Sequence, residues 1–172
     1  NKAGLGGGSM NAASILNYFV RKKIIKISKK KIIIISKLIG SDVILGLNST
    51  NSVLNSNNKI KYFPNHKKLN ILIVKPNFGC STKEIFSKVR KFSKPKFTHP
   101  SKKMFNINYL KKMNNSLEEI AFSKYHKLKS IKLFLENLSN PEFVRMSGSG
   151  SALVAYFQSK QRCDYAKKQF NK

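Results

Sequence analysis

The chain has 172 residues, 41% of them hydrophobic, which suffices for a buried core and argues against wholesale disorder. No run approaches the ~20 apolar residues of a membrane span, and two cysteines, Cys80 and Cys163, are too few for a disulfide framework or a metal knuckle, so a reduced, cytoplasmic setting without a membrane partner is expected. The net charge of +27 invites a nucleic-acid reading, but only four of the 34 basic residues are arginine, the lysines run along the whole chain, and Lys, Asn and Ile are in excess together; a solvated basic surface is the expectation.

In chain order, residues 1–9 (NKAGLGGGS) read as a loop. Asn11–Val20 reads as a helix, with Ala12, Ile15, Leu16 and Phe19 on one face. Ser28 as N-cap and Gly40 after the last turn bracket KKKIIIISKLI as a second helix; its four isoleucines would suit a strand, and the caps decide for helix. From Ser41 to Phe63, short apolar pieces broken by NSTNS and NSNN predict strands joined by tight turns. Pro64-Asn-His-Lys-Lys predicts a boundary, dividing 1–65 from 66–172. LNILIVKP reads as a buried strand, Thr82 to Phe92 as an amphipathic helix, and SKPKFTHPSKK as a basic loop. Helices are expected from about Asn106 to Leu138, where Leu128, Ile131, Leu135 and Leu138 form a core stripe. FVRM and ALVAYF read as strands around the turn SGSGS, before a closing basic helix. The mixture predicts an α+β protein with two lobes.

Five glycines and alanines crowd AGLGGGSM ahead of an apolar helix. A helix N-terminus leaves its first N–H groups unpaired and positive, and glycines there bare those groups to an anion. Gly4, Gly6, Gly7 and Gly8 supply the curl, and Ser9 a hydroxyl for a phosphate oxygen or Mg²⁺. Neither the Walker pattern nor the dinucleotide fingerprint fits, because Ser-Met follows the last glycine and position 9 is Ser. MSGSGSALVAYF carries a second glycine cluster that, alone, reads as a hairpin turn. Asp42, in Gly40-Ser-Asp-Val, is the one acid among apolar and glycine neighbours; it reads either as a turn-stabilising cap or as a placed base.

Taken together and in this order, AGLGGGSMNAASIL, LIGSDVILGL, KPNFGCSTKEIF, NSLEEIA and MSGSGSALVAYF resemble the GHMP kinase superfamily, in its cytidine-diphosphate polyol branch; Met10 and Ser41 depart from the family's Ser and Ala. The resemblance implies a partial N-terminal lobe like ribosomal protein S5 and a ferredoxin-like C-terminal lobe. It implies transfer of the ATP γ-phosphate to a hydroxyl of a cytidine diphosphate-linked sugar alcohol, with Mg²⁺ as cofactor, in the non-mevalonate isoprenoid route. Lys2, Ala3, Gly4, Leu5, Gly6, Gly7, Gly8, Ser9 and Met10 would bind ATP, with Ser9 near its Mg²⁺, and Asp42 would be the catalytic base. Thr82, Phe86, Gly148, Ser149 and Gly150 would bind the substrate, Phe86 by stacking on cytosine. The resemblance further implies that a catalytic Lys, a Tyr-His pair and a last strand lie outside these residues, and that residues 1–172 alone show no turnover. A kinase for homoserine, mevalonate or a sugar is the nearer alternative; a basic nucleic-acid-binding module is the more distant one.

Overall fold

Seven helices and five strands are defined in a computed structural model that describes residues 3–55, 57, 59–64, 68–92, 94 and 97–170. Mixed helices and strands agree with the α+β expectation. The chain divides into two compact units: Gly6–His66 with Lys94–Lys102, and Asn1–Leu5 with Lys67–Ser93 and Lys103–Lys172.

The first of these units is built on α1 (Gly7–Arg21) and α2 (Lys29–Ile39). Helix α1 begins four residues earlier than Asn11, so Gly7, Gly8, Ser9 and Met10 are its first turn and not loop. Its cap is Gly6, in the left-handed region at φ 66° and ψ 19°, and Met10 N–H closes the turn on the Gly6 carbonyl at 2.9 Å. A side chain at Gly6 would strain that backbone. The buried face also differs from the expected one: Ala13 and Leu16 are covered, whereas Ile15 and Phe19 are exposed. The cause is the partner. Residues 43–47 form a 3₁₀ turn whose Gly46 approaches Met10 and Ala13 so closely that a Cβ there would sit 2.7 Å from the Ala13 methyl. Asn17 donates from Nδ2 to the Gly46 and Leu47 carbonyls, fixing the same face.

Ser28 caps α2 as expected, accepting from Lys31 N–H at 3.3 Å, and Gly40 follows its last residue. The predicted strand after Asp42 is instead the 3₁₀ turn, because Val43 and Ile44 bury together with no alternation for a strand to use. Strands appear further on, as the hairpin β1 (Asn51–Leu54) and β2 (Ile60–Phe63), with Asn51 opposite Phe63. The boundary expected near residue 65 lies outside the described residues.

The other unit holds a three-stranded antiparallel sheet, ordered β3 (Asn70–Val74), β5 (Leu153–Phe157), β4 (Phe143–Met146). β5 lies between the other two and is buried except at Tyr156. β3 is an edge, and it corrects the buried-strand expectation: Leu72 and Val74 face inward while Ile71 and Ile73 are exposed, the period of two that an open sheet face imposes. Helix α3 is only Thr82–Ser87, shorter than the Thr82 to Phe92 expected. It is followed by α4 (Ile107–Lys111), α5 (Glu118–Lys124), α6 (His126–Glu136) and α7 (Lys160–Phe170). The predicted stripe is core: Leu128 and Leu135 are fully buried, Leu138 nearly so, and Ile131 packs, partly buried, against the cluster that they form with Phe122, Met146 and Phe157. Both cysteines are free thiols. Among the described residues no helix is long and apolar enough to cross a membrane.

Candidate functional site

In the unit of the sheet, residues 3–5 run against the hairpin that joins β4 to β5. Ala152 N–H donates to the Ala3 carbonyl at 3.0 Å, and Ser147 Oγ donates to the Gly4 carbonyl at 2.8 Å. Gly4 has φ +68°, and a Cβ on it would lie 2.7 Å from Gly150 O and 2.9 Å from Gly150 N. Reciprocally, a Cβ on Gly148 (φ +53°) would lie 2.9 Å from Gly4 O. Gly4 is therefore required by the hairpin's backbone and Gly148 by that of Gly4, a close approach that no larger residue permits. Read alone, the second cluster was a hairpin turn; it is one, and it is also the wall on which Ala3 and Gly4 rest.

The same hairpin meets the start of α3. Thr82 Oγ1 and Ser149 Oγ lie 2.8 Å apart, and Ser151 Oγ donates to the Phe78 carbonyl at 2.6 Å. Ser81 caps α3 by accepting from Glu84 N–H at 3.4 Å, while its own N–H donates to Tyr125 Oη at 3.1 Å. Tyr125 stacks on Phe78 at 6.3 Å between ring centres. Phe86, one turn beyond Thr82, is half exposed, as a ring must be to receive another ring. The structure thus brings together Ala3, Gly4, Thr82, Gly148, Ser149 and Gly150, with Phe86 on the helix that starts at Thr82.

In the other unit, Gly6, Gly7 and Gly8 face open space: a Cβ built on any of them meets nothing within 4 Å. The N–H groups of Gly7, Gly8 and Ser9 open helix α1, where an α-helix has no internal acceptor for them, and the helix dipole adds positive potential. Asp42 is exposed and stands at the start of the 3₁₀ turn whose Gly46 packs on Met10 and Ala13 of the same helix. Among the described residues its carboxylate caps no backbone N–H, and Oδ1 accepts from the Ser41 hydroxyl at 3.4 Å. Lys2 lies outside the described residues.

Sequence reasoning missed Asn115, Ser147, Ser151 and Tyr125 as parts of the site. Asn115-Ser-Leu preceding a helix is an Asx-turn signal and could have been found; the serine roles depend on hairpin register and could not. Burial raises the Cys80 thiol above its ordinary range beneath the hairpin. A groove of about 570 Å³ along β3, α6 and α7 contains none of the candidate residues. Among the described residues no group of three His, Cys, Asp or Glu could hold a metal.

The fold is one that a solved structure shares. The crystal structure of a 4-(cytidine 5'-diphospho)-2C-methyl-D-erythritol kinase superposes with a TM-score of 0.78 and 21% identity, covering 99% of this chain and 63% of that one, and so carries the GHMP architecture. The sequence narrows the class. The chain is 56% identical over 171 residues to the 4-diphosphocytidyl-2-C-methyl-D-erythritol kinase of Pelagibacter ubique, and 36% identical over 158 residues to the enzyme of that name from Petrotoga mobilis. Over these residues it is a homologue of the 4-diphosphocytidyl-2-C-methyl-D-erythritol kinases. It spans 61% of the length of each of those two relatives. No family model matches the chain.

Proposed function

We propose that these residues form the nucleotide-binding and acceptor-binding parts of a cytoplasmic, ATP-dependent kinase that phosphorylates the 2-hydroxyl of 4-diphosphocytidyl-2-C-methyl-D-erythritol. The observation that carries the reading is the start of α1, where Gly6, Gly7 and Gly8 put no side chain beside the N–H groups and a Cβ on any of them would meet nothing within 4 Å. A triphosphate fits such a place because its oxygens accept several N–H bonds at once and its charge meets the positive helix end.

Phosphoryl transfer asks a protein mainly to position groups and to neutralise charge. Gly4 to Met10 would hold the triphosphate, with Lys2 and Ala3 flanking it. Mg²⁺ arrives with the triphosphate and neutralises it, and Ser9 Oγ is the group of this chain that would meet the ion. Asp42, free of a capping duty, would accept the proton of the attacking hydroxyl. Thr82, Phe86, Gly148, Ser149 and Gly150 would receive the cytidine diphosphate end, Phe86 by stacking.

Calorimetric titration of the 172-residue chain with Mg-ATP and with CDP tests the binding part. Asp42→Asn should leave Mg-ATP affinity within about twofold, since the carboxylate touches no backbone donor. In any polypeptide that includes these residues and releases ADP in response to substrate, the same change should cost at least about a hundredfold in kcat. Absence of Mg-ATP uptake, together with steeply salt-dependent binding to generic duplex that ignores Asp42→Asn, would overturn the kinase reading in favour of a nucleic-acid module.

A further inference from the structure

We propose that Asn115 is a positioning residue: its side-chain amide sets the direction of the Gly148–Ser149 peptide, and through it the affinity of the hairpin for the diphosphate part of the ligand. The inference rests on the kinase reading for its ligand, but not for its geometry.

β4 is an edge strand, so the outward N–H and C=O of Met146 have no strand partner. The start of α5 takes both. Asn115 Nδ2 donates to Met146 O at 2.9 Å, and Glu118 Oε1 accepts from Met146 N–H at 2.8 Å. The second hydrogen of the Asn115 amide goes to Gly148 O at 2.7 Å. The orientation of that amide is not free, because Oδ1 accepts from Leu117 N–H at 3.0 Å in the turn that begins α5. Glu118, in turn, is held by Lys132 Nζ at 3.0 Å.

The consequence follows from peptide planarity. In a trans peptide the C=O and the following N–H point in opposite directions. With Gly148 O fixed toward Asn115, Ser149 N–H is turned away from α5, and it makes no hydrogen bond among the described residues although Ser149 is only 7% exposed. Such a donor suits an anion. None of the hairpin's other bonds, Gly150 N–H to Ser147 O at 2.9 Å, Ala152 N–H to Ala3 O and the serine hydroxyls to Gly4, Thr82 and Phe78, holds the C=O or N–H of the Gly148–Ser149 peptide itself.

Asn115→Asp separates the two duties of the residue. It keeps the acceptor for Leu117 N–H and removes the donor, setting a carboxylate against two carbonyls. Its melting temperature should stay within a few degrees of the parent, amide exchange at Ser149 and Gly150 should rise by about tenfold or more, and the dissociation constants for CDP or Mg-ATP should rise by about tenfold. CDP and Mg-ATP are titrated separately, so the probe that weakens identifies which diphosphate the hairpin meets. Parent-like exchange and affinity in Asn115→Asp would overturn the proposal. If Asn115→Asp does not fold, Asn115→Ala is read in the same way. If the parent binds neither probe, the kinase reading falls, and the exchange measurement alone decides whether Asn115 sets the loop.

Discussion

Two glycines four positions apart should respond to the same added methyl with opposite signs. At Gly4 the backbone is left-handed, which costs an L-residue about 1–2 kcal/mol. The new Cβ would also sit 2.7 Å and 2.9 Å from backbone atoms of Gly150, and forcing a methyl into packed surroundings costs about 1–3 kcal/mol more. Gly4→Ala should therefore lose about 2–5 kcal/mol in the unit that holds it. Gly8 lies in the first turn of α1, and its Cβ would meet nothing. Alanine is the better helix former by up to about 1 kcal/mol, so Gly8→Ala should be neutral or stabilising. It should nevertheless weaken Mg-ATP by about tenfold or more, since the methyl enters the space proposed for phosphate. Urea denaturation followed by circular dichroism, paired with Mg-ATP titration, measures both. With a slope of about 2 kcal/mol/M, the Gly4→Ala midpoint should fall by ~1–2.5 M. An unmoved midpoint for Gly4→Ala refutes the packing argument; parent-like Mg-ATP affinity in Gly8→Ala refutes the phosphate one.

Two further outcomes follow from burial. Glu118→Ala should cost about 3 kcal/mol, because it strands Met146 N–H and leaves Lys132, itself four-fifths buried, with the more distant Glu136 at 3.7 Å as its acid; a loss under about 1 kcal/mol in a urea titration would count against the network. Cys80 has its thiol pKa raised by burial, so the folded state favours the neutral form. Its contribution is complete below the ordinary thiol value of about 8.5 and is lost as pH rises through the higher folded value. Melting temperature should fall on that alkaline side, and less steeply in Cys80→Ala. Ellman's reagent at pH 8 should consume the half-buried Cys163 well before Cys80; equal rates would contradict the burial.

What the sequence disclosed depended on whether a feature was local. Ser28 and Gly40 bracket α2 because a cap is a contact between residues a turn apart, and the stripe from Leu128 to Leu138 is core because a helical period needs no knowledge of its partner. Helix α1 was misread on both counts. Its glycines have low helix propensity, yet Met10 wedged against Gly46 draws them into the first turn. Its buried face is set by Gly46 and Leu47, about thirty residues away, which spacing within the helix cannot reveal. β3 has the apolar run of a buried strand, but an edge position leaves Ile71 and Ile73 uncovered. At the site, Gly4 and the SGSGS cluster were each legible as glycine-rich; that each needs the other's missing side chain was not, because 143 residues separate Ser147 from the Gly4 carbonyl it bonds.

The two readings of Asp42, cap or base, are separated by what its carboxylate does in the fold. An acid kept to stabilise a turn must accept a backbone N–H, since that bond is the source of its benefit. Asp42 begins the 3₁₀ turn without accepting one, and the turn is held instead by Val43 and Ile44 in the core and by Gly46 against α1. The carboxylate is thus dispensable to the structure that carries it, which is the converse of Glu118, whose two oxygens are both committed to Met146 and Lys132. Two acids of equal charge therefore make opposite demands on an assay. Removing Glu118 should register first in the unfolding transition, and removing Asp42 should leave that transition within about 0.5 kcal/mol while registering in turnover. The helix that opens in the glycine turn and the 3₁₀ turn that opens at Asp42 pack on each other, so the carboxylate proposed as base stands, spared structural duty, on the same support as the groups proposed to grip phosphate.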